Sequence, residues 1–242
     1  MITGLCLKMI NGKSVLAIIP ARGGSKGVPR KNVKILAGKP LISWTIEEAK
    51  KSKYIDRLIL SSDDEEIIRV AKRWGCEVPF VRPKELAQDD TPGIEPVLHA
   101  LSELTGYKFV LLLQPTSPFR TVEDIDVAIE ACLKNNADTC VSVSKVEKSP
   151  YWMYEVDEYK VMKPLLNPEQ IYNSRQLLPT IYSLNGAIYL SSCDWLRKDK
   201  RFINDKTFPY IMPVNRSIDI DSELDFIVAE CLMLTQMNKL TG

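Results

Sequence analysis

Apolar residues in the first 145 positions of the chain follow two alternating spacings. Short, nearly continuous apolar runs are typical of strands buried on both faces of a sheet. Runs of this kind predict strands at 14–20, 57–61, 77–81, 109–113 and 139–143. Between the runs, apolar residues recur every three or four positions, which indicates amphipathic helices. The predicted helices begin at Pro40, Ser62, Gly93 and Thr121. This order predicts an α/β fold with a mostly parallel sheet and helices on both of its faces.

The alternation stops between residues 146 and 203, where large aromatic side chains are concentrated. They are Trp152, Tyr154, Tyr159, Tyr172, Tyr182 and Phe202. Aromatic residues anchor protein interfaces, so we expect a small inserted lobe that mediates dimerisation; the alternative is an apolar lobe that packs on its own sheet. Beyond Tyr182 the pattern predicts strands at 184–190 and 207–212 and a closing helix at 222–234. We therefore expect an N-terminal appendage at 1–13 and one domain at 14–242.

Charge is distributed unevenly along the chain. The whole chain of 242 residues has a formal net charge of only +1, which gives no general reason to bind nucleic acid or an anionic membrane. No Asp or Glu precedes Glu47, so the first 46 residues carry +8 and the remainder −7. This asymmetry predicts an anionic ligand near the N-terminus.

Neither the apolar runs nor the cysteines indicate export or a membrane. The longest apolar runs are far shorter than the roughly 20 residues of a spanning helix, and no signal-peptide core precedes them. The six cysteines are scattered without a C-x-x-C pair. We therefore expect a cytoplasmic protein.

The loop that follows the first predicted strand has the chemistry of a phosphate site. Its sequence from Ala21 to Asn32 is A-R-G-G-S-K-G-V-P-R-K-N. Glycines let a backbone approach a ligand closely, and Arg and Lys side chains supply positive charge. The loop contains neither a P-loop nor a G-x-G-x-x-G motif, so it predicts a polyphosphate site of another kind. The alternative is a solvated basic loop.

Four motifs together carry a resemblance to a known family. They are I-I-P-A-R-G-G-S-K-G-V-P-R-K-N at 18–32, Q-P-T-S-P at 114–118, N-G-A-I-Y at 185–189 and D-I-D at 219–221. In this order they resemble the acylneuraminate cytidylyltransferases, whose relatives act on legionaminic and pseudaminic acids. The resemblance implies a nucleotide-diphospho-sugar-transferase fold and a homodimer. It also implies transfer of CMP from CTP to a nine-carbon 2-keto sugar acid with Mg²⁺, for which Mn²⁺ can substitute.

The same resemblance assigns roles to residues of the nucleotide half of the site. Lys31 would contact the α-phosphate, and Arg22 the β- and γ-phosphates or the leaving pyrophosphate. Both would act in catalysis, because negative charge accumulates on phosphate oxygens in the transition state. The other implied nucleotide contacts are Ser25, Lys26, Asn32 and Arg82.

The sugar acid is implied to lie against Gln114 and Tyr189, with Arg175 paired to its carboxylate. In the family the lobe reaches the partner subunit's sugar site, which would place Phe202 at the neighbouring site. The metal is expected at Asp219 and Asp221, with Asp221 also catalytic. In a strand these two positions share a face, so both carboxylates would point at one ion. The alternative for Asp221 is a cap of the closing helix.

Three other functions compete with this interpretation. The nearest is a cytidylyltransferase for 3-deoxy-manno-octulosonate, although its usual A-R-x-x-S-T-R-L-P loop differs from the one present here. A glycosyltransferase would use Asp219 and Asp221 as a D-x-D motif. A catalytically silent sugar-binding protein is the third.

Overall fold

The computed structural model describes residues 14–166 and 174–241, together with Gly12. Tyr172 and nearly all of the expected appendage at 1–13 lie outside the described residues. In chain order the strands are β1 (Val15–Pro20), β2 (Ile35–Leu36), β3 (Lys39–Pro40), β4 (Arg57–Ser61), β5 (Phe109–Leu112), β6 (Thr139–Lys145), β7 (Tyr154–Val156), β8 (Met162–Pro164), β9 (Tyr182–Ser192) and β10 (Phe208–Ile211). The helices are α1 (Leu41–Lys51), α2 (Glu65–Arg73), α3 (Glu95–Glu103), α4 (Val122–Lys134), α5 (Cys193–Asp199) and α6 (Glu223–Thr241).

Six strands form the central sheet, in the order β10-β6-β9-β5-β1-β4. All neighbours pair in parallel except β9, which is antiparallel to both β5 and β6. The predicted mostly parallel sheet is therefore confirmed. The strand expected at 77–81 is wrong: Glu77 makes a single bridge to Ile59 and the chain then leaves the sheet.

Helices cover both faces of the sheet, as the apolar pattern predicts. One side of β1 packs with apolar residues of α1, α2 and α4, and the other side packs with α3 and α5. A third cluster joins α6 to the loop after β1, through Val28, Leu36, Ile220 and Phe226. This last cluster fixes the position of the basic loop against the C-terminal helix.

Two of the predicted helix starts, Ser62 and Thr121, can be compared with the caps in the structure. Thr121 is the cap of α4, as predicted, and it forms a capping box with Asp124. The start predicted at Ser62 is wrong, because Asp64 is the cap of α2 and accepts from the backbone N–H groups of Glu66 and Ile67. Asp is as good a cap as Ser, so the neighbouring acid takes the role.

The segment that leaves the sheet is shorter than the lobe expected at 146–203. It contains the small antiparallel pair β7–β8, and it ends before Tyr182, where β9 enters the middle of the main sheet. Phe202 is buried in the main core rather than in the lobe. The pattern misplaces the boundary because the long strand β9 begins with three exposed residues. In the part of the chain that the structure describes, no helix has the length and apolar character to cross a membrane.

Candidate active site

A cleft of about 590 Å³ lies at the carboxyl ends of β1 and β5, the edge where open α/β sheets bind ligands. The predicted site residues that line it are Arg22, Ser25, Lys26, Lys31, Asn32, Arg82, Gln114, Tyr189 and Asp221. The sheet therefore brings the residues predicted for phosphate and for sugar together in one cavity. Asp219 lies behind this lining, next to Gln114, and Arg175 lies outside it.

The basic loop is shaped by a close approach to the segment before α6. A Cβ added at Gly27 would lie 2.0 Å from the backbone oxygen of Asp221, so only glycine fits there. Lys31 makes a second link, because its Nζ donates to the Ile220 carbonyl at 2.6 Å and lies 3.2 Å from Oδ1 of Asp221. Within the loop, Nδ2 of Asn32 donates to the Arg22 carbonyl at 3.2 Å. The cations and the predicted metal ligands are thus held as one unit.

Two of the cations are paired with an acidic side chain that the sequence did not single out. Nη2 of Arg22 lies 2.8 Å from Oδ1 of Asp89, and Nζ of Lys26 pairs with the other oxygen of the same carboxylate. The hydrogen bond from Lys26, assisted by the charge of Arg22, holds the pKa of Asp89 below its ordinary value. Asp89 therefore occupies the place that a phosphate would take between these cations.

Arg82 is a buried cation with little negative charge near it to balance its own. Its side chain is 4% exposed, and among the described residues its Nε and Nη2 have no hydrogen-bond partner. Its ion pair is with Asp63, whose Oδ1 lies 3.5 Å from Nη2. Burial lowers the pKa of Arg82, and Asp63 opposes that shift. A buried guanidinium with one long ion pair that lines a cleft is suited to an anionic ligand, since such a group is otherwise costly to bury.

The two predicted metal ligands differ in their surroundings. Burial raises the pKa of Asp219, with the charge of Asp221 adding to the shift, while a hydrogen bond from Thr116 and the charge of Lys31 lower it. Oδ1 of Asp219 is buried and has no hydrogen-bond partner among the described residues, whereas the side chain of Asp221 is 78% exposed. Residues 218–221 form no strand, so the predicted strand geometry is wrong, although Ile220, between the two acids, is fully buried.

The donor set fits Mg²⁺. Among the described residues no group of three or more His, Cys, Asp or Glu is placed to hold a metal ion, so any ion must take further ligands from substrate or water. Mg²⁺ characteristically binds one or two carboxylates together with phosphate oxygens and water. The alternative role of Asp221 as a helix cap is wrong. Ser222 and Asp225 form that cap, because the Ser222 hydroxyl accepts from the Asp225 backbone N–H and Oδ2 of Asp225 accepts from the Ser222 backbone N–H.

The other half of the cleft is formed by the ends of β5 and β9. Gln114 directly follows Leu113 at the carboxyl end of β5, and its Oε1 lies 3.5 Å from the hydroxyl of Thr116. The ring of Tyr189 packs against that of Phe202, with centroids 5.4 Å apart. Burial raises the pKa of Tyr189, and the nearby charge of Asp219 adds to the shift. This half presents an amide and an aromatic surface rather than charge.

Of the two remaining residues predicted for the sugar site, only one lines the cleft. Phe202 lines the cleft of its own chain, and its contribution to a partner's site stays a prediction. Arg175 is exposed on the lobe, where its Nη2 donates to the Glu147 carbonyl at 3.3 Å. The physical reason is the position of the lobe, which leaves the sheet after β6 and carries Arg175 away from the cleft.

Sequence analysis missed Asp89, Arg120 and Gly186. Arg120 is fully buried behind Gln114, and Gly186 lies between Gln114 and Asp219. The signal that could have singled out Arg120 is its position two residues after the Q-P-T-S-P motif, next to Phe119. Asp89 and Gly186 left no such signal, because a polar loop and a strand glycine are ordinary features.

Comparison with known proteins agrees with this geometry. The CMP-N,N'-diacetyllegionaminic acid synthase of Legionella pneumophila is 38% identical over 226 residues, which cover 90% of this chain and 96% of that protein. The N-acylneuraminate cytidylyltransferase of Escherichia coli is 35% identical over 216 residues, which cover 89% of this chain and 51% of that protein. The chain thus spans about half the length of the Escherichia coli protein.

The fold is also found among solved structures. A CMP:2-keto-3-deoxy-manno-octonic acid synthetase solved in complex with CTP superimposes with a TM-score of 0.71 at 14% identity, over 93% of this chain and 100% of that one. This likeness confirms the predicted fold class. A protein-family model described as cytidylyltransferase matches residues 16–237. The chain therefore belongs to the cytidylyltransferase family, and it is a nucleotidyltransferase.

Proposed function

We propose that the protein transfers CMP from CTP to the anomeric hydroxyl of a nine-carbon 2-keto sugar acid and releases pyrophosphate. The observation that carries this proposal is the division of the cleft. One half gathers Arg22, Lys26, Lys31 and the buried Arg82, and the other half presents Gln114 and Tyr189. The first half suits a triphosphate, and the second suits an acylated sugar whose hydroxyl and amide groups need a donor and an acceptor.

The reaction forms one bond and breaks one bond at the α-phosphorus. The sugar hydroxyl oxygen attacks the α-phosphorus and gives its proton to water, and the bond from that phosphorus to the bridging oxygen breaks, so that its electron pair leaves on the pyrophosphate. Lys31 would neutralise charge on the α-phosphate, while Arg22, Lys26 and Arg82 would hold the departing pyrophosphate. Fixed cations of this kind stabilise the charge that develops on phosphate oxygens.

Asp219 and Asp221 would hold Mg²⁺, and Mn²⁺ would substitute for it. When bound, the ion would neutralise phosphate charge and orient the triphosphate. The buried, unpartnered Oδ1 of Asp219 supports this assignment. Lys31 lies beside both carboxylates, so the α-phosphate and the ion would be adjacent.

The identity of the sugar acid is tested with a panel of substrates. Purified protein would be incubated with Mg²⁺, CTP and either N,N'-diacetyllegionaminate, N-acetylneuraminate, pseudaminate or 3-deoxy-manno-octulosonate, with CMP-sugar and pyrophosphate measured. We expect turnover with at least one nine-carbon acid, and legionaminate is the first choice because of the relative from Legionella. Turnover with octulosonate alone would contradict the proposal. The glycosyltransferase alternative is excluded by the family match, which covers residues 16–237.

We also propose that the protein is a homodimer joined through its lobe. Tyr154, Val156, Tyr159 and Met162 of the β7–β8 pair are each between 48% and 79% exposed. A contiguous apolar surface of this kind is typical of an interaction site. The protein would act in a reducing compartment, the cytoplasm, because Cys76, Cys140 and Cys193 are buried thiols.

The dimer is tested by light scattering on the 27.4 kDa chain and on two matched variants. Tyr159→Glu places a charge on the lobe, and Ile227→Glu places one on the exposed side of α6, away from it. We expect dimers for the wild type and for Ile227→Glu, and monomers for Tyr159→Glu. A monomeric wild type, or dimers disrupted only by Ile227→Glu, would rule out the lobe interface.

A further inference from the structure

The side chains of Gln114 and Asp219 meet at a glycine. Gly186 has a φ of +74°, and a Cβ added there would lie 3.0 Å from Oε1 of Gln114 and 3.3 Å from Oδ2 of Asp219. Gln114 belongs to the sugar half of the cleft, and Asp219 to the predicted metal site. Both side chains therefore rest against the same α-carbon, in space that any other residue would fill.

A bulge in β9 creates this arrangement. The register between β6 and β9 shifts between Val141 and Val143, so that residues 185–188 lie opposite Ser142 alone. The side-chain amide of Asn185 holds the bulge: its Oδ1 accepts from the Ser142 hydroxyl at 2.6 Å, and its Nδ2 donates to the Ser217 hydroxyl at 2.9 Å. Ser217 lies two residues before Asp219, so the bulge and the acidic segment are tied together.

Arg120 supports the bulge from behind. Its Nη1 donates to the carbonyl oxygens of Ala187 at 2.7 Å and Gln114 at 3.2 Å, and its Nη2 donates to the Thr45 hydroxyl at 2.8 Å. One buried guanidinium thus joins the end of β5 to the bulge of β9. The backbone on both sides of the Gln114 side chain is fixed in place.

We propose that Gly186 is a positioning residue that couples the sugar half of the cleft to the metal site. Its missing side chain leaves the space that the ends of both Gln114 and Asp219 border, so any side chain added at position 186 presses on both. This inference rests on the proposed function, in which Gln114 contacts the sugar acid and Asp219 holds the metal. It predicts that a single methyl group at position 186 disturbs both partners of the reaction.

The chain contains a matched control for this test. Gly106 has a similar positive φ of +91°, but a Cβ added there meets no atom within 4 Å. Gly186→Ala and Gly106→Ala therefore impose comparable backbone strain, because both force an L-residue into the left-handed region. Only Gly186→Ala presses on site side chains. The atoms it meets are the ends of flexible side chains, so they move aside and the fold is retained.

Kinetics separate the two variants. For Gly186→Ala we expect kcat/KM for the sugar acid to fall by about tenfold or more, because misplacement by an ångström is enough for such losses. The Mg²⁺ concentration for half-maximal rate should rise, while KM for CTP changes by less than about threefold, since the cations lie on the other side. Gly106→Ala should match the wild type in all three values, with a similar loss of thermal stability.

Two further measurements do not depend on turnover. Mn²⁺ binding in the presence of CTP, followed by electron paramagnetic resonance, should weaken in Gly186→Ala and not in Gly106→Ala. A crystal structure of Gly186→Ala should show Gln114 and Asp219 displaced from their places here. Equal kinetics, equal Mn²⁺ binding and undisplaced side chains would overturn the inference. Failure of the wild type to use any nine-carbon acid would instead overturn the proposed function, and the crystal structure would still decide whether position 186 controls both side chains.

Discussion

Two buried arginines lie at the two halves of the cleft, and their surroundings differ. Arg82, in the half predicted for phosphate, has an ion pair with Asp63 at 3.5 Å, and its Nε and Nη2 have no hydrogen-bond partner among the described residues. Arg120, behind the half predicted for the sugar, donates from both of its Nη atoms to two carbonyls and a hydroxyl, while its Nε has no partner in the described part of the chain. Burial lowers the pKa of Arg120 to about 10, so its guanidinium remains charged at neutral pH. Arg120 therefore makes its hydrogen bonds within the fold, whereas the guanidinium of Arg82 is suited to bind an anionic ligand.

The same contrast extends to the neighbours of each arginine. Around Arg82, the cations Arg22 and Lys26 are partly exposed and paired with the acid Asp89, which a ligand can displace. Around Arg120, the contacts are buried, short and made within the fold. In the proposed reaction the phosphate half would therefore exchange ion pairs with substrate, whereas the contacts behind the sugar half are already formed within the fold. This difference predicts which substitutions affect stability and which affect binding.

The largest effect is expected at the junction of the two halves. Asp219→Asn and Asp221→Asn each keep the shape of the side chain and remove the charge that would hold Mg²⁺. We expect turnover to fall by roughly a hundredfold or more, because metal neutralisation of phosphate charge is lost. Both variants should remain folded, since Ser222 and Asp225 rather than Asp221 cap α6.

The control for this prediction is Ser192→Ala, which removes the side-chain cap of α5 at a residue that does not line the cleft. It should lower the thermal midpoint and leave the Mg²⁺ dependence of turnover unchanged. Near-normal turnover of both Asp219→Asn and Asp221→Asn, with an unaltered Mg²⁺ requirement, would show that the metal is held elsewhere.

The second prediction compares the effects of replacing each of the two arginines, Arg82 and Arg120, with methionine. Arg82→Met removes a buried charge with little compensation, so the thermal midpoint should stay the same or rise. CTP affinity should fall by about 10- to 100-fold, which is the range expected for lost hydrogen bonds to a charged group. Arg120→Met should instead lower the free energy of unfolding by about 3 kcal/mol, because it strips a buried network.

Calorimetry of CTP binding and thermal unfolding of both variants would measure this pair of effects. The comparison fails if Arg82→Met destabilises the protein as much as Arg120→Met, or if it leaves CTP affinity unchanged. Arg120→Lys serves as a conservative control, since it retains the charge but loses the forked geometry.

The fold could be predicted from the sequence because strand and helix spacings differ along the chain. The direction of β9 could not, since the apolar residues at 184–190 have the same pattern in either direction. Its length was also underestimated, because the exposed start at Tyr182 continues the polar character of the lobe. Predicting that start required knowledge of its partner, β6.

The residues of the candidate site also differ in how far the sequence alone could predict them. Lys31 and Arg22 stand in a glycine-rich loop with an unusual charge excess, so local sequence is enough to single them out. Asp89 is one acid among several in a polar loop, and its importance comes only from facing Arg22 and Lys26 in space. Gly186 has a role only because Gln114 and Asp219, which are distant in sequence, rest against it.

The third prediction concerns how the free energy of unfolding changes with pH because of one buried carboxylate, that of Asp124. Asp124 is fully buried, and although burial raises its pKa, hydrogen bonds from Arg216, Thr121 and Tyr210 hold it below its ordinary value of 3.8. A carboxylate with a depressed pKa stabilises the fold above its unfolded-state pKa, and the contribution is lost as pH falls through the folded-state value. Asp124→Asn should therefore lower the free energy of unfolding by about 2 kcal/mol at pH 7.

Urea unfolding at several pH values would measure this difference. The gap in free energy of unfolding between wild type and Asp124→Asn should begin to narrow as pH falls below about 3.8, the unfolded-state value, and should close as pH falls through the lower folded-state pKa of Asp124. Asp194→Asn is the matched exposed control, because the pKa of Asp194 is also lowered, by Lys108, but its side chain is 72% exposed. It should behave as the wild type. If the difference in free energy of unfolding between wild type and Asp124→Asn stayed constant with pH, the effect would come from the shape of the side chain rather than from its charge.

The smallest effect is expected in the phosphate half, at Asp89. In the ligand-free protein its carboxylate competes with phosphate for Arg22 and Lys26, so Asp89→Asn should tighten binding of pyrophosphate and CTP. The gain should be about threefold, because ion pairs this exposed to water are weak. It should shrink as salt is raised, since salt screens exposed charges. Asp90→Asn, the exposed neighbour, is the control and should leave both affinities unchanged. Weaker pyrophosphate binding in Asp89→Asn would mean that the carboxylate positions the two cations for the ligand instead of competing with it.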